Sequence, residues 1–341
     1  MTATKPTSQM LPPQAHQPAA WWFWLRLAVG LGLLCLSLRP VNWGLLGAQL
    51  TSAHWDWMAL AVFSVLVSTG LKIARWGWLC RKCGIGSQLG WARLSAAFLV
   101  GQAANVVLPF RGGDLARIGW FAAQEPADTL PVTISILLEK YADILALLLS
   151  LVWLGPFLPE QVREWGKGWL VPLGGVISLS LVILLVAGPW ILEKLRGLVG
   201  RFSLRWQARL DGLINRYLPP SSFGALRSPR GWLGLAAMTL VVWLVMISTN
   251  LCVLNALDLP AGLPAGSLVL ALVYLGLAPA LMPGNFGPFY FFAMLGLAPF
   301  GVDESQRAAF AVALHAVVTL PPVLLAGGFL IASRRPFWRK T

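Results

Sequence analysis

The stretch Asn105-Val-Val-Leu-Pro109-Phe-Arg111-Gly112-Gly113-Asp114 interrupts an apolar run that starts at Trp91 and ends near Gln124. A proline and paired glycines break a helix, and Arg111 and Asp114 place charge where a simple span would be apolar. Two paths are open to such a segment. It crosses the membrane once, or it enters and leaves on one side. The choice sets the orientation of everything that follows.

The distribution of basic residues decides it, because short basic loops of polytopic proteins stay cytoplasmic. Residues 72 to 93 hold Lys72, Arg75, Arg81, Lys82 and Arg93 with no acid. Residues 191 to 231 hold eight Lys or Arg against Glu193 and Asp211, and the end of the chain adds Arg334, Arg335, Arg339 and Lys340. A single crossing would put the loop at 154 to 168 inside and the basic linker 191 to 231 outside. A re-entrant hairpin keeps every basic block inside, with both termini cytoplasmic.

Composition sets the class. Of the 341 residues, 57% are hydrophobic and 11% charged, against about a quarter charged in soluble domains. Runs of about 20 apolar residues, enough to span a bilayer, recur, and the alternating strands of an outer-membrane barrel are absent. The expected fold is an all-α polytopic membrane protein. It has about six full spans, near 21 to 39, 55 to 74, 129 to 153, 169 to 190, 232 to 254 and 306 to 333. Trp and Tyr cluster at their ends like an interfacial belt. Residues 1 to 20 read as a disordered cytoplasmic tail, 21 to 333 as one transmembrane domain, and 334 to 341 as a basic cytoplasmic tail.

A second broken stretch runs from Ser267 through Pro283-Gly284-Asn285-Phe286-Gly287-Pro288 to Phe300. It matches the first in kind: a proline, glycines and an Asn. The units 55 to 153 and 232 to 333 then read as an inverted repeat, each with a broken re-entrant helical hairpin. Discontinuous helices at matching positions of inverted repeats point to a transporter's binding site.

Charge inside the membrane is costly and defaults to function. Glu139, Lys140 and Asp143 fall near mid-depth of the span 129 to 153, with Glu139 and Asp143 on one helical face. They read either as an internally neutralised ion pair or as a contact to a polar substrate or proton. Gly112 and Gly113 would offer free backbone N–H groups at a helix start, and Arg111 and Arg117 are planar donors matched to phosphate. Otherwise Arg117 snorkels to the surface and Arg111 pairs with Asp114. Asn105 and Asn285 stand at the two breaks. His315, mid-span in the last helix, reads as a titrating group or as a hydrogen-bonded packing residue. The net charge of +13 suits anionic lipid better than nucleic acid, whose marks are missing. Cys80 and Cys83 form one C-x-x-C without the second pair of a zinc site. No phosphate-binding or hydrolase motif occurs, so no cofactor and no metal are expected.

The runs Asn105 to Arg117, Leu137 to Asp143 and Leu281 to Phe289, with the helix of His315 downstream, resemble the flippase-like transmembrane domain of lysylphosphatidylglycerol synthases. The likeness covers most of residues 20 to 335 in the family's order. At the third run Asn285 stands where the family has Gly, and Pro288, Phe289 and Tyr290 leave no acid. The resemblance implies translocation of a phospholipid or lipid-linked phosphate between leaflets of the cytoplasmic membrane. It makes Arg111, Asp114, Arg117, Glu139, Lys140 and Asp143 the headgroup site, with Asn105 and Asn285 at the hairpin tips. The soluble lysyl-transfer domain is not in this sequence, so lysyl transfer is not expected and the chain is not expected to be an enzyme. The substrate would be an anionic phospholipid or a polyprenyl phosphate. An integral membrane enzyme acting on a lipid phosphate and a scaffold for a lipid-modifying enzyme are the alternatives, and an oligomer is compatible with each reading.

Overall fold

The computed structural model describes residues 20–39, 41–85, 90–107, 112–124, 129–160, 229–260, 262–278 and 283–332, with scattered positions between 163 and 198. Among these residues the secondary structure is helical, with no strand. Arg111, Pro109, most of the expected span 169 to 190, most of the basic linker and both tails lie outside them.

Helix α1 (Ala20–Leu38) is followed by α2 (Trp43–Thr51), and their axes differ by 81°. The first expected span therefore turns sharply after residue 39. Asn42 starts α2, its Oδ1 accepting the N–H groups of Gly44 and Leu45 at 3.0 and 3.2 Å, as Asn does at helix starts. Helix α3 (Trp55–Lys82) runs eight residues past its expected end. Lys72 and Arg75 thus belong to the helix rather than to a basic loop, and Arg75 is only 1% exposed. Arg81 and Lys82 remain in its last turn, where cations suit the helix dipole.

The first broken stretch forms α4 (Trp91–Val107) and α5 (Gly113–Gln124), which pack on each other. Gly113 sits so close to the Gly101 carbonyl that a Cβ there would overlap it. Helix α6 (Leu130–Leu154) follows. Then come α7 (Pro229–Ala256), the short α8 (Leu263–Leu277), a 3-10 turn at Pro283–Asn285, α9 (Pro288–Leu297) and α10 (Glu304–Ala332). The order long helix, short pair, long helix thus occurs twice: α3, α4/α5, α6 and α7, α8/α9, α10.

Among the described residues three helices, α3, α7 and α10, are long and apolar enough to cross a bilayer, and the bent pair α1/α2 passes the same test taken together. Helix α6 has the length, 25 residues or about 37 Å, but Glu139, Lys140 and Asp143 interrupt its apolar run. The long helices leave Phe63, Leu240, Leu244 and Leu324 exposed, which water disfavours and lipid accepts. This is an integral membrane protein.

Helices α3 and α7 make the most extensive contact of the fold. Small polar residues allow it: Ser64 Oγ lies 2.8 Å from Thr249 Oγ1 and donates to the Val245 carbonyl at 2.9 Å. Close approach through small residues and interhelical hydrogen bonds is how helices associate where lipid replaces water. Asn250 ties α7 to α8, its Nδ2 donating to the Gly266 carbonyl at 2.7 Å. The largest core cluster joins α3, α7, α8, α9 and α10 around Ala61, Val253, Val269, Leu297 and Phe310. The 3-10 turn of the second break packs against α4 of the first.

Candidate functional site

Between these helices lies a cavity of about 600 Å³. Of the nine residues singled out from the sequence, eight line it: Asn105, Asp114, Arg117, Glu139, Lys140, Asp143, Asn285 and His315. The ninth, Arg111, falls outside the described residues. Apolar side chains, among them Ile144, Leu148, Val269, Val273, Val318 and Val323, line the same cavity.

The charges of α6 do not neutralise one another. Asp143 takes a two-bond fork from Arg75, Nη1 to Oδ1 at 2.8 Å and Nη2 to Oδ2 at 3.0 Å. Arg75 Nη1 also donates to Thr239 Oγ1 at 3.0 Å, and Trp243 Nε1 donates to Asp143 Oδ1 at 3.4 Å. Glu139 faces Arg117 with both oxygens, at 3.0 and 3.5 Å. Lys140 Nζ reaches back to α5, 3.3 Å from Asp114 Oδ1, while Arg117 Nη1 lies 3.7 Å from the same oxygen. An ion pair within α6 is therefore corrected to three pairs between helices. A charge in a low-dielectric interior needs a close opposite charge, and the i to i+4 neighbours on α6 itself are two acids.

Arg117 does not snorkel. It is 3% exposed, with its guanidinium 4.0 Å from the Trp76 ring centre and 4.8 Å from that of Phe98. Stacking on aromatic faces is a property of the planar guanidinium, and here it supports the fork to Glu139. Nor is the Gly113 N–H free for an anion. It donates to Asn105 Oδ1 at 2.9 Å, so Asn105 caps α5 from across the break.

Across the cavity, His315 is held on both ring nitrogens. Nε2 lies 3.0 Å from the Gly284 carbonyl and Nδ1 lies 3.1 Å from the Tyr290 hydroxyl. A carbonyl only accepts, so Nε2 carries hydrogen, and the neutral ring takes its second bond from Tyr290. The Phe289 ring stacks on the imidazole at 4.6 Å. Gly284 and Gly287 have φ of 68° and 81°, and Asn285 one of 58°. This is left-handed backbone that Gly, and after it Asn, adopts at least cost.

Arg75 is the residue the sequence concealed. It looked like part of a cytoplasmic block, yet it follows Ser68 by seven residues, two helical turns along the buried face. Cys80 and Cys83 are both buried free thiols. Burial pushes the Cys83 thiol up to about 11, away from the thiolate that redox chemistry requires. Among the described residues no group of His, Cys, Asp and Glu is arranged to hold a metal.

A helical membrane domain with a cavity lined by both charged and apolar side chains is the class that fold and site define. The chain belongs to the lysylphosphatidylglycerol synthase TM region family, whose family model it matches over residues 23–326. No curated protein matches it.

Proposed function

We propose that the protein moves a phospholipid or a lipid-linked phosphate between the leaflets of the cytoplasmic membrane, without covalent chemistry. The mixed lining of the cavity is the observation that carries this reading: a lipid has one charged end and one apolar end, and both charged and apolar side chains line the cavity. Membership of a lipid-related membrane family supports it. In this reading the units 55 to 153 and 232 to 333 are inverted relative to each other, α4/α5 and α8/α9 are re-entrant, and both termini are cytoplasmic. The headgroup sits among Asp114, Arg117, Glu139, Lys140 and Asp143, with Asn105 and Asn285 at the breaks and His315 on α10, and Arg111 is the further headgroup residue expected from the sequence.

Lys140 is the mobile partner. Its side chain is 37% exposed, whereas those of Arg75 and Arg117 are almost fully enclosed. An ammonium on a flexible stem exchanges one anion for another more readily than a stacked guanidinium, so Lys140 passes from Asp114 to the phosphate. Transport is favoured over catalysis because Glu139 and Asp143 each turn both oxygens to an arginine. A carboxylate whose charge is already balanced by a guanidinium fork is a poor acceptor for a substrate proton.

The test is leaflet accessibility of fluorescent phospholipids and a polyprenyl phosphate in liposomes holding the purified protein. Faster equilibration, lost in Lys140→Gln and Arg111→Ala, is the expected result. A lipid whose mass changes, or no acceleration for any lipid with folded protein present in both orientations, overturns the proposal.

A further inference from the structure

Each carboxylate of the cavity already has a cation: Asp143 has Arg75, Glu139 has Arg117 and Asp114 has Lys140. A fourth cation, Lys72, lines the same cavity. It stands three residues before Arg75 on α3, where helical spacing puts both on neighbouring positions of one face. Lys72 is half-buried and makes no hydrogen bond, ion pair or ring contact with any described residue. An ammonium drawn partly out of water without a partner forfeits solvation, and the walls around Lys72 return none of it. The described charges at this site therefore balance except for one positive charge.

We infer that Lys72 is the residue by which the cavity selects an anionic phosphate headgroup, which rests on the lipid-translocation reading for its occupant. A phosphodiester with an uncharged head brings one negative charge and cancels the excess. A zwitterionic headgroup brings a cation as well; Glu139 and Asp143 are held by arginines, and Asp114 keeps Arg117 Nη1 at 3.7 Å when Lys140 turns to the phosphate. The phosphate oxygens accept from the ammonium in a charge-assisted hydrogen bond, while the acyl chains leave along Ile144, Leu148 and Val318. Lys72 thus discriminates by charge, and the two buried arginine pairs shape the pocket around it.

The experiment uses the full chain in phosphatidylcholine liposomes carrying trace fluorescent phosphatidylglycerol or phosphatidylcholine, and reads the ratio of their equilibration rates. The ratio falls about tenfold or more in Lys72→Gln and is largely kept in Lys72→Arg. A wild-type ratio in Lys72→Gln overturns the inference. Should the wild type move neither lipid, translocation fails, and retention of the same two lipids by the detergent-solubilised protein in native mass spectrometry decides the site by itself. Preference for phosphatidylglycerol that Lys72→Gln abolishes sustains Lys72 as the headgroup residue. Equal retention in both proteins overturns it. Displacement of bound lipid by an equal concentration of soluble glycerophosphate would make the ligand a free phosphate ester and overturn the lipid.

Discussion

Arg75 and Asp143, 68 positions apart in the chain, meet in a planar fork of 2.8 and 3.0 Å that joins α3 to α6. Thr239 and Trp243 close it from α7. Three helices are thereby tied at one buried point. The cost of removing either charge is the cost of leaving the other alone.

Arg75→Ala is therefore expected to destabilise the folded protein by about 3–5 kcal/mol, the range for breaking a buried pair from one side. Arg75→Met combined with Asp143→Leu, which removes both charges, lies much closer to wild type. Unfolding in mixed detergent micelles compares the three. A double variant as unstable as the single one would mean that the fork does more than balance charge.

Arg117→Lys keeps the charge and loses both the fork to Glu139 and the stacking on Trp76 and Phe98. The expected loss is about 2 kcal/mol, the sum of a charge-assisted bond partly regained by the ammonium and a desolvated cation–π contact. Thermal unfolding by intrinsic tryptophan fluorescence measures it. An unchanged melting point would show that charge alone matters at this position.

Gly113→Ala pushes a Cβ into the Gly101 carbonyl and to 2.6 Å from Asn105 Cγ. Backbone has no rotamer with which to yield, so α4 and α5 must part, at about 1–3 kcal/mol or more. Gly119→Ala on the same helix meets nothing within 4 Å. It is expected to stabilise α5 by up to about 1 kcal/mol through helix propensity. The two melting curves should move in opposite directions, and parallel shifts would contradict the close approach.

Lys140→Gln breaks a partly exposed pair with Asp114, worth about 1 kcal/mol or less. Its melting point should stay near wild type while lipid equilibration slows at least tenfold. A large loss of stability would make Lys140 a structural residue instead.

The charged cluster was readable from the sequence because Glu139, Lys140 and Asp143 stand in an apolar run, where each charge costs free energy unless something pairs it. Their partners were not readable. Arg75 binds an acid on another helix, and a count of charges over residues 72 to 93 cannot separate a cation that faces water from one that faces a carboxylate. Only the helix phase relative to Ser68 distinguishes them. Arg117 was misread for a similar reason: Trp76 and Phe98, which hold it, are 41 and 19 residues away in sequence. The turn after α1 had its signals in Pro40 and Asn42, a breaker followed by a helix cap, but the apolar length of 21 to 39 drew attention first. The breaks at 105 to 114 and 283 to 288 were plain because proline and glycine act through local geometry, which sequence records directly.

Helix α6 gives three successive charged positions to two different neighbours: Glu139 and Lys140 to α5, Asp143 to α3. Motion that parts α5 from α3 must leave α6 with one of them. Leaving with α5 breaks the buried Arg75–Asp143 fork, the Trp76–Ser135 hydrogen bond and the wider packing of α3 on α6, whereas leaving with α3 breaks the Glu139–Arg117 fork and the partly exposed Lys140–Asp114 pair. The molecule therefore has a preferred line of cleavage through this region, between α5 and α6. An anion that draws Lys140 from Asp114 loosens that line, while Lys72, one turn from Arg75, stays on the side that holds.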